Sequence, residues 1–275
     1  MEAPNERWTI GMDGSDGSHA ALRWAVQQST GRPVRLEAVR AESQTAGNRF
    51  LDKIKVAWKK PGAEPVADLT ADHGVTARIV DGPAGRALVD AASGASLLVV
   101  GRHGAGGGWR NALGSVSRHC VTHASSPTVV VPPDWSGGQL RRIVVGFDGS
   151  ANACAALHWA LRFADDETDV RALVALEVAP WLQEDVVRAR LGEELATERG
   201  RLLGLLATAD PAGRATVDVR VRGAKVALAD AAGDADLVAV GARGAGRVRG
   251  LGSVSTWLLD DSPCPVVVVP EPAAS

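Results

Sequence analysis

The sequence predicts an α/β protein made of two repeated, doubly wound domains, each with a five-stranded parallel sheet. Three observations support this prediction. The two halves of the chain repeat several blocks in the same order, short apolar strands alternate with amphipathic helices, and the runs Leu97–Val100 and Val266–Val269 are apolar without a break. Such alternation favours a parallel sheet with helices on both faces, and unbroken apolar strands fit burial on both sides. The arrangement is Rossmann-like.

The internal repeat indicates that a whole domain has been duplicated. Matching segments keep the same order in both halves, which a short solenoid repeat would not produce. The matching pairs are MDGSDGSHAALRWA (12–25) with FDGSANACAALHWA (147–160), LLVVGRHGAG (97–106) with LVAVGARGAG (237–246), GSVS (114–117) with GSVS (252–255), and SPTVVVP (126–132) with CPVVVVP (264–270). We therefore expect domains at 1–133 and 141–275, joined by a linker at 134–140 within the Pro- and Gly-rich stretch PPDWSGGQL.

Each predicted element follows from a local pattern. In both halves an apolar strand runs into Asp-Gly-Ser, a turn in which Ser or Asp is available to cap the amphipathic helix that follows. The first half predicts strands at Trp8–Met12, 34–40, 75–80, 96–101 and 128–131, and helices at 16–29, 84–93 and 115–124. The second half predicts strands at Ile143–Phe147, 170–178, 216–221, 236–241 and 265–269, and helices at 151–164, 182–208, 224–233 and 253–260. In the first half, Pro61, Gly62 and Pro65 interrupt the matching long helix within 43–73.

Composition narrows the class of protein. The 275 residues carry a formal net charge of −2, with 45% apolar and 23% charged residues, which gives no reason to expect nucleic-acid binding or adsorption to an acidic membrane. The apolar runs are too short to span a bilayer, and the N-terminal MEAPNERW has no signal-peptide pattern. Three scattered cysteines without CxxC spacing favour a cytoplasmic location. His119 and His123 have no evident third ligand, so we expect no metal site.

A glycine-rich segment, GRHGAGGGWRNALGSVS (101–117), follows the fourth predicted strand. Two residues separate Gly101 from Gly104, and nine separate Gly104 from Gly114. The residues alone leave two interpretations open: a mobile surface loop, or a loop whose bare N–H groups and following helix N-terminus hold an anion such as phosphate. The P-loop motif is absent, and the segment does not match a dinucleotide GxGxxG turn. Asp13, expected across the same crevice, suits ribose hydroxyls better than phosphates.

Taken together, these motifs resemble the universal stress protein family, as a tandem of two such domains over nearly the entire chain. The resemblance depends on Asp-Gly-Ser after the first strand, Gly-x-x-Gly, the nine-residue gap, Gly-Ser-Val-Ser and the Pro-flanked valine strand. In that family the glycine pattern marks members that bind ATP. The resemblance implies that Asp13 meets the ribose, that the Val39 backbone touches adenine and that the glycine segment holds phosphates. The implied ATP-binding residues of the first half are Gly11, Met12, Asp13, Val39, Val100, Gly101, Arg102, His103, Gly104, Gly114, Ser115, Val116 and Ser117.

The second half departs from the family pattern, because only seven residues separate Gly244 from Gly252. Two missing residues remove up to about 7 Å of reach, but Arg243, Arg247 and Arg249 add positive charge. We expect ATP to bind here as well, with the first site tighter. The implied residues of the second half are Gly146, Phe147, Asp148, Leu176, Gly241, Arg243, Gly244, Gly252, Ser253, Val254 and Ser255.

Two functional hypotheses of different classes follow. The first is an ATP-binding regulatory protein of stress adaptation, in which the nucleotide stabilises one conformation or assembly by mass action rather than by turnover. The second is a slow ATPase or nucleotide-dependent transferase, although spacing places no carboxylate or lysine as a base and we assign no catalytic residue. Mg²⁺ is a candidate companion of ATP. An interaction scaffold without nucleotide is a third alternative.

The partner predicted for the chain is an adenine nucleotide, and assembly is predicted through the last strand of each half. Members of the family commonly pair domains through that strand, so PTVVV and PVVVV are expected to pair within the chain as a pseudo-dimer. A homodimer would come on top of this arrangement.

Overall fold

The computed structural model describes residues 6–42, 74–104, 112–177, 185–244 and 250–271, and the side chains of 185–191 are not among the parts described. The chain divides into two compact units. The first comprises Met1–Gln139 with Leu259–Asp261, and the second comprises Leu140–Leu258 with Ser262–Ser275. The interrupted helix pattern in 43–73 lies outside the described residues, as do Trp109, Arg110, Arg247 and Arg249.

The first unit contains a five-stranded parallel sheet with the strand order β3-β2-β1-β4-β5. Its described elements are β1 (Glu6–Gly11), α1 (Asp16–Ser29), β2 (Val34–Glu42), β3 (Thr76–Asp81), α2 (Ala84–Ala91), β4 (Leu97–Gly101), α3 (Ser115–His123) and β5 (Thr128–Val131). Because β1 pairs with both β2 and β4, the strand order reverses at β1. Ligands of open parallel sheets bind beyond the carboxyl ends of the strands at such a reversal.

The second unit repeats this topology with the strand order β8-β7-β6-β9-β10, again parallel. Its described elements are β6 (Arg142–Gly146), α4 (Ala151–Phe163), β7 (Asp169–Ala175), α5 (Asp185–Ala209), β8 (Thr216–Arg220), α6 (Ala224–Ala232), β9 (Leu237–Gly241), α7 (Ser253–Asp261, whose residues Leu259–Asp261 count with the first unit) and β10 (Val266–Val269). The predicted fold class of two repeated, doubly wound parallel-sheet domains is confirmed. The strand predicted at 170–178 ends earlier, at Ala175, where the Leu176 N–H still donates to the Arg220 carbonyl oxygen.

The cores of both units lie between the central strands and the helices that cover them. All five residues of β4 and of β9 are buried. In the first unit Trp24 of α1 is almost fully buried and stacks on Trp8, with ring centroids 6.3 Å apart. In the second unit Trp159 stacks on Phe163 at 4.6 Å. Burial of an apolar side chain of this size stabilises a fold by about 1.5–3 kcal/mol.

The Asp-Gly-Ser turn has the same hydrogen bonds in both units. In the first, Gly14 adopts a φ of +82°, which glycine accepts without strain, and the Ser15 N–H donates to Asp13 Oδ1 at 2.9 Å. The Ser15 hydroxyl oxygen then accepts a bond from the Ser18 N–H at 3.1 Å, so Ser15 is the N-cap of α1. Of the two capping residues that the sequence offers, serine caps the helix and aspartate stabilises the turn.

Gly101 allows α1 to lie against the end of β4. A Cβ atom on Gly101 would lie 2.8 Å from Gly17 Cα and would overlap the Gly17 carbonyl group. In the second unit a Cβ atom on Gly241 would likewise lie 2.8 Å from the Asn152 carbonyl carbon. The first glycine of the loop is therefore required by contact between two backbone segments within the fold, and its φ is not in the left-handed region.

Replacing Gly101 with alanine should destabilise the first unit by about 1–3 kcal/mol, because the added methyl group overlaps the Gly17 backbone. Gly200→Ala is the matched control: a Cβ atom there meets nothing within 4 Å, and alanine in α5 should add about 0.5–1 kcal/mol. Urea unfolding followed by circular dichroism measures both changes. A wild-type midpoint for Gly101→Ala would contradict this packing.

Candidate functional site

The first unit has a cavity of about 580 Å³ beyond the carboxyl ends of β1 and β4. This volume lies within the usual range of small-molecule sites, roughly 300–1,000 Å³. The turn after β1, the segment after β4 and the first turn of α3 meet at this cavity. It is lined by Gly11, Met12, Asp13, Ser15, Ser18, Ala41, Ala84, Leu88, Val100, Gly101, His103, Gly104, Ala112, Leu113, Gly114, Ser115, Val116 and Ser117.

The second unit has a matching cavity of about 440 Å³ beyond the carboxyl ends of β6 and β9. The corresponding turn, post-strand segment and helix start form its walls. It is lined by Gly146, Phe147, Asp148, Ala153, Leu173, Ala175, Ala224, Leu228, Val240, Gly241, Arg243, Gly244, Leu251, Gly252, Ser253, Val254 and Ser255. The duplication seen in the sequence therefore duplicates a cavity as well as a fold.

An aspartate carboxylate occupies the same place in each cavity. One oxygen, Oδ1, accepts the N–H of the serine two residues later, at 2.9 Å for Asp13 and 3.0 Å for Asp148. The other oxygen, Oδ2, would lie 2.6 Å from a Cβ atom on Gly104 or Gly244, respectively. The turn thus orients the carboxylate, and the second loop glycine leaves room for it.

The helices that start at the cavities have no side-chain cap. Gly114 precedes α3 and Gly252 precedes α7, and neither helix has a capping hydrogen bond from a side chain. In contrast, α1 and α4 are capped by Ser15 and Ser150. The first N–H groups of a helix have no partner within the helix and carry partial positive charge. The residues that carry them in α3 and α7 line the cavities and suit an anionic group.

A backbone hydrogen bond closes the base of each glycine-rich loop. The Gly114 N–H donates to the Arg102 carbonyl oxygen at 2.9 Å, and the Gly252 N–H donates to the Ala242 carbonyl oxygen at 3.0 Å. The start of the helix is thereby tied to the segment that follows the strand. The nine-residue and seven-residue gaps therefore begin and end at equivalent anchors.

Ser117 and Ser255 have a different role from the one expected. The sequence suggests that the Ser117 hydroxyl donates to a phosphate. It is buried and donates instead to the Gly101 carbonyl oxygen at 2.6 Å, as Ser255 does to Gly241 at 2.9 Å. The second serine of Gly-Ser-Val-Ser therefore holds the helix to the end of the strand. Ser115 and Ser253 are exposed and line their cavities.

Three predicted site residues do not line a cavity. The Val39 carbonyl oxygen accepts the Met12 N–H at 2.8 Å, and the side chain is buried, whereas Ala41 lines the first cavity. In the second unit Ala175 takes that place, one residue before Leu176. Arg102 is buried, and only its neighbour His103 reaches the first cavity. The other predicted residues line their cavities, but their contact with a nucleotide stays a prediction.

Several lining residues were not predicted. They include the capping serine Ser15, which the Asp-Gly-Ser motif identified only as a cap, and the apolar residues Leu88 and Leu228. The two leucines lie in α2 and α6, whose amphipathic pattern predicts a buried face without distinguishing core from cavity wall. No local sequence signal separates them from core leucines.

The two cavities differ in one ionisable side chain, which is His103 in the first and Arg243 in the second. In the first, burial and the adjacent Arg102 guanidinium lower the pKa of His103 below its ordinary value of 6.5. The His103 ring is therefore neutral at pH 7. In the second, Arg243 takes the equivalent position, and its Nη1 lies 3.3 Å from Glu271 Oε2. A titratable group thus stands where the other half has a permanent cation.

Two of the three cysteines, Cys120 and Cys154, are not activated. Burial raises the pKa of Cys120 to about 12. Burial and the nearby Asp148 carboxylate also raise the pKa of Cys154. Both thiols are protonated near neutral pH, whereas a nucleophilic cysteine needs its thiolate.

His119 and His123 of α3 stack on each other, with ring centroids 4.1 Å apart, and His123 Nδ1 lies 2.9 Å from the His119 carbonyl oxygen. Within the described ranges, no three His, Cys, Asp or Glu side chains come together as a metal-binding group. In the same part of the chain, no helix combines the length and apolar character needed to cross a membrane.

These features define a tandem, Rossmann-like α/β protein with a polar-edged cavity in each repeat. The family model described as the universal stress protein family matches the chain twice, over residues 5–132 and 139–270. The chain belongs to the universal stress protein family, as a tandem two-domain member.

Relatives of similar length support this assignment. A universal stress protein of Mycolicibacterium smegmatis is 32% identical over 94% of this chain and 95% of its own length. One from Mycobacterium tuberculosis is 28% identical over 95% of each chain. Among solved structures, a universal stress protein from Archaeoglobus fulgidus shares the fold with a TM-score of 0.66 at 20% identity, over 98% of this chain and 99% of that one.

Ser117→Ala should destabilise the first unit by about 1–3 kcal/mol, because the Gly101 carbonyl loses a buried hydrogen-bond donor. Ser115→Ala, at an exposed position two residues earlier, should change stability by less than about 0.5 kcal/mol. Thermal and urea unfolding of the two variants measure the difference. Equal midpoints would show that the hydrogen bond does not hold α3 to β4.

Proposed function

We propose that this universal stress protein is an ATP-binding regulatory protein that holds one adenine nucleotide in each half. The observation that carries the proposal is the shared geometry of the two cavities: an uncapped helix N-terminus and an oriented aspartate face the same space. A helix N-terminus that can bind an anion and a carboxylate that can accept hydroxyl hydrogen bonds, both lining one cavity, suit a ribose phosphate.

The phosphate end of the proposed site is the first turn of α3. Its N–H groups, the exposed Ser115 hydroxyl and the buried ring nitrogen of His103 all belong to residues that line the cavity. The second cavity has the matching turn of α7, with Ser253, and Arg243 in place of histidine. We assign Mg²⁺ no ligand from the protein. The ion would accompany the triphosphate and be bound by the phosphate oxygens and by water.

The ribose end is Asp13 or Asp148. The turn holds one carboxylate oxygen, and the other lies beside the loop glycine, where we propose that it accepts hydrogen bonds from ribose hydroxyls. The remaining walls include Met12 and Leu88 in the first cavity and Phe147 and Leu228 in the second. Apolar walls with a few placed polar groups are usual for a site that takes a planar base.

A regulatory role is proposed rather than turnover. In the described lining of the first cavity, Asp13 and His103 carry the acidic and basic side chains. Asp13 is held in the turn. Neutral His103 is the one observation that favours the alternative of a slow ATPase or transferase, because a neutral imidazole can act as a base. Binding alone stabilises the nucleotide-bound conformation by mass action. We propose that this effect operates in a cytoplasmic stress response.

Binding at each cavity is tested with one alanine in each loop. Gly104→Ala places a methyl group 2.6 Å from Asp13 Oδ2, and Gly244→Ala does the same to Asp148, so each variant should lose one of two ATP equivalents. The expected loss at the altered cavity is at least about tenfold in Kd, equivalent to about 1.4 kcal/mol. Isothermal titration of the full chain counts the sites, and the wild-type first site should be the tighter.

Gly200→Ala, remote from both cavities in α5, is the control and should keep both equivalents. Mass spectrometry of small molecules released from the purified variants gives an independent measure. If Gly104→Ala and Gly244→Ala both retain two nucleotides at the wild-type Kd, the proposed placement is wrong.

Turnover is tested by incubating the purified chain with excess ATP and Mg²⁺ and quantifying ADP and AMP. The regulatory proposal expects less than about one product molecule per site over hours, with a rise in Tm that follows ATP concentration. Steady multiple turnover that disappears in His103→Gln would instead support the ATPase alternative.

A further inference from the structure

His103 and Arg243 occupy equivalent positions in the two halves. Each is the second residue after its strand, immediately before the glycine that accommodates the aspartate. Each also lines its cavity. Equivalent positions in the two cavities are therefore occupied by an imidazole in the first half and by a guanidinium in the second.

The backbone holds His103 in place. Its carbonyl oxygen lies over Gly17, where a Cβ atom would overlap it, and the Ser15 hydroxyl lies 3.4 Å from the same oxygen. The Nε2 atom of the ring is shielded from solvent and has no hydrogen-bond partner among the described residues. A shielded polar atom without a partner is costly, so a ligand that supplies the missing partner gains affinity.

Three charged groups lie near His103: Arg102, Asp260 and Asp13. Burial of the ring and, second, the charge of Arg102, which precedes it in the chain, oppose protonation and lower the pKa of His103. A hydrogen bond to the Ala112 backbone and the carboxylate of Asp260 act in the opposite direction, although more weakly. Asp13, across Gly104, is the acidic group of the turn that faces the same loop. The ring remains neutral in the protein alone.

We propose that the first cavity captures a nucleotide phosphate by adding a proton to His103, whereas the second cavity uses the permanent charge of Arg243. This inference rests on the proposed function, because it assumes that a phosphate approaches the loop. The proton comes from the solvent and forms an N–H bond on the imidazole, which donates to a phosphate oxygen. No covalent bond to the nucleotide forms or breaks.

The sign of the pH effect follows from linkage. A phosphate beside the ring favours the imidazolium and raises the pKa of His103 from its lowered value in the protein alone. Between the two values the complex holds more protons than the separate partners, so affinity is highest at low pH and falls as pH rises through the pKa of the complex. A single proton limits the change to about tenfold in Kd per pH unit.

The test counts the protons taken up on binding. The second cavity is first blocked with Gly244→Ala, and ATP is titrated into the full chain by calorimetry in buffers of different ionisation enthalpy at about pH 7.5. The buffer dependence of the heat gives the proton count. We expect the Gly244→Ala protein to take up at least about half a proton more per nucleotide than Gly244→Ala with His103→Gln, because glutamine has no titrating group.

A second variant, His103→Arg in the same background, copies the other half of the chain. It should bind ATP without the extra proton, and its Kd should stay within about twofold between pH 6.5 and 8.5, where the parent Kd rises at least fivefold. Titration of the phosphate itself occurs in all three proteins and cancels in the comparison.

The possible results distinguish proton uptake by His103 from nucleotide binding itself. Equal proton counts and equal pH profiles in the parent and His103→Gln, with ATP still bound, overturn the role of His103 and leave nucleotide binding standing. Absence of ATP binding by the Gly244→Ala protein at every pH overturns the proposed function of the first cavity and this inference together.

Discussion

The approach of α1 to the end of β4 is the constraint on which both the fold and the candidate site depend. Gly17 and Gly101 meet backbone to backbone, with no room for a side chain at Gly101. This contact brings Ser15 and Asp13 within reach of the loop that follows β4. Two segments far apart in sequence thereby form one cavity, and the polar groups of that cavity are held by bonds that also stabilise the fold.

The second half reaches the same geometry with a different pair of residues. Asn152 stands where Gly17 stands in the first half, yet Gly241 remains glycine and makes the same close contact. The aspartate turn, the serine cap and the hydrogen bond from the second serine of Gly-Ser-Val-Ser are all retained. The two halves share this backbone framework and differ in the side chain on the loop, which is histidine in the first half and arginine in the second.

The fold was largely predictable from the sequence, and the site only in outline. Unbroken apolar strands and glycine-marked turns determine the order of elements, and the described strands and helices end within a few residues of their predicted ends. Val39 does not line the first cavity, whereas Ala41, two residues further along the same face of β2, does. The predicted contact of the Val39 backbone with adenine stays a prediction. The role of Ser117 depends on a carbonyl sixteen residues earlier, Gly101, which no local pattern identifies.

The hydrogen bond that closes each loop at its base has a consequence for how this protein can diverge. Gly114 and Gly252 are each anchored to the segment that follows the strand, although the sequence places a different number of residues between the anchors in the two halves. The start of the helix is therefore fixed in the same way on both sides of a two-residue difference in length. A tandem chain is thereby free to evolve two unequal specificities within a single polypeptide.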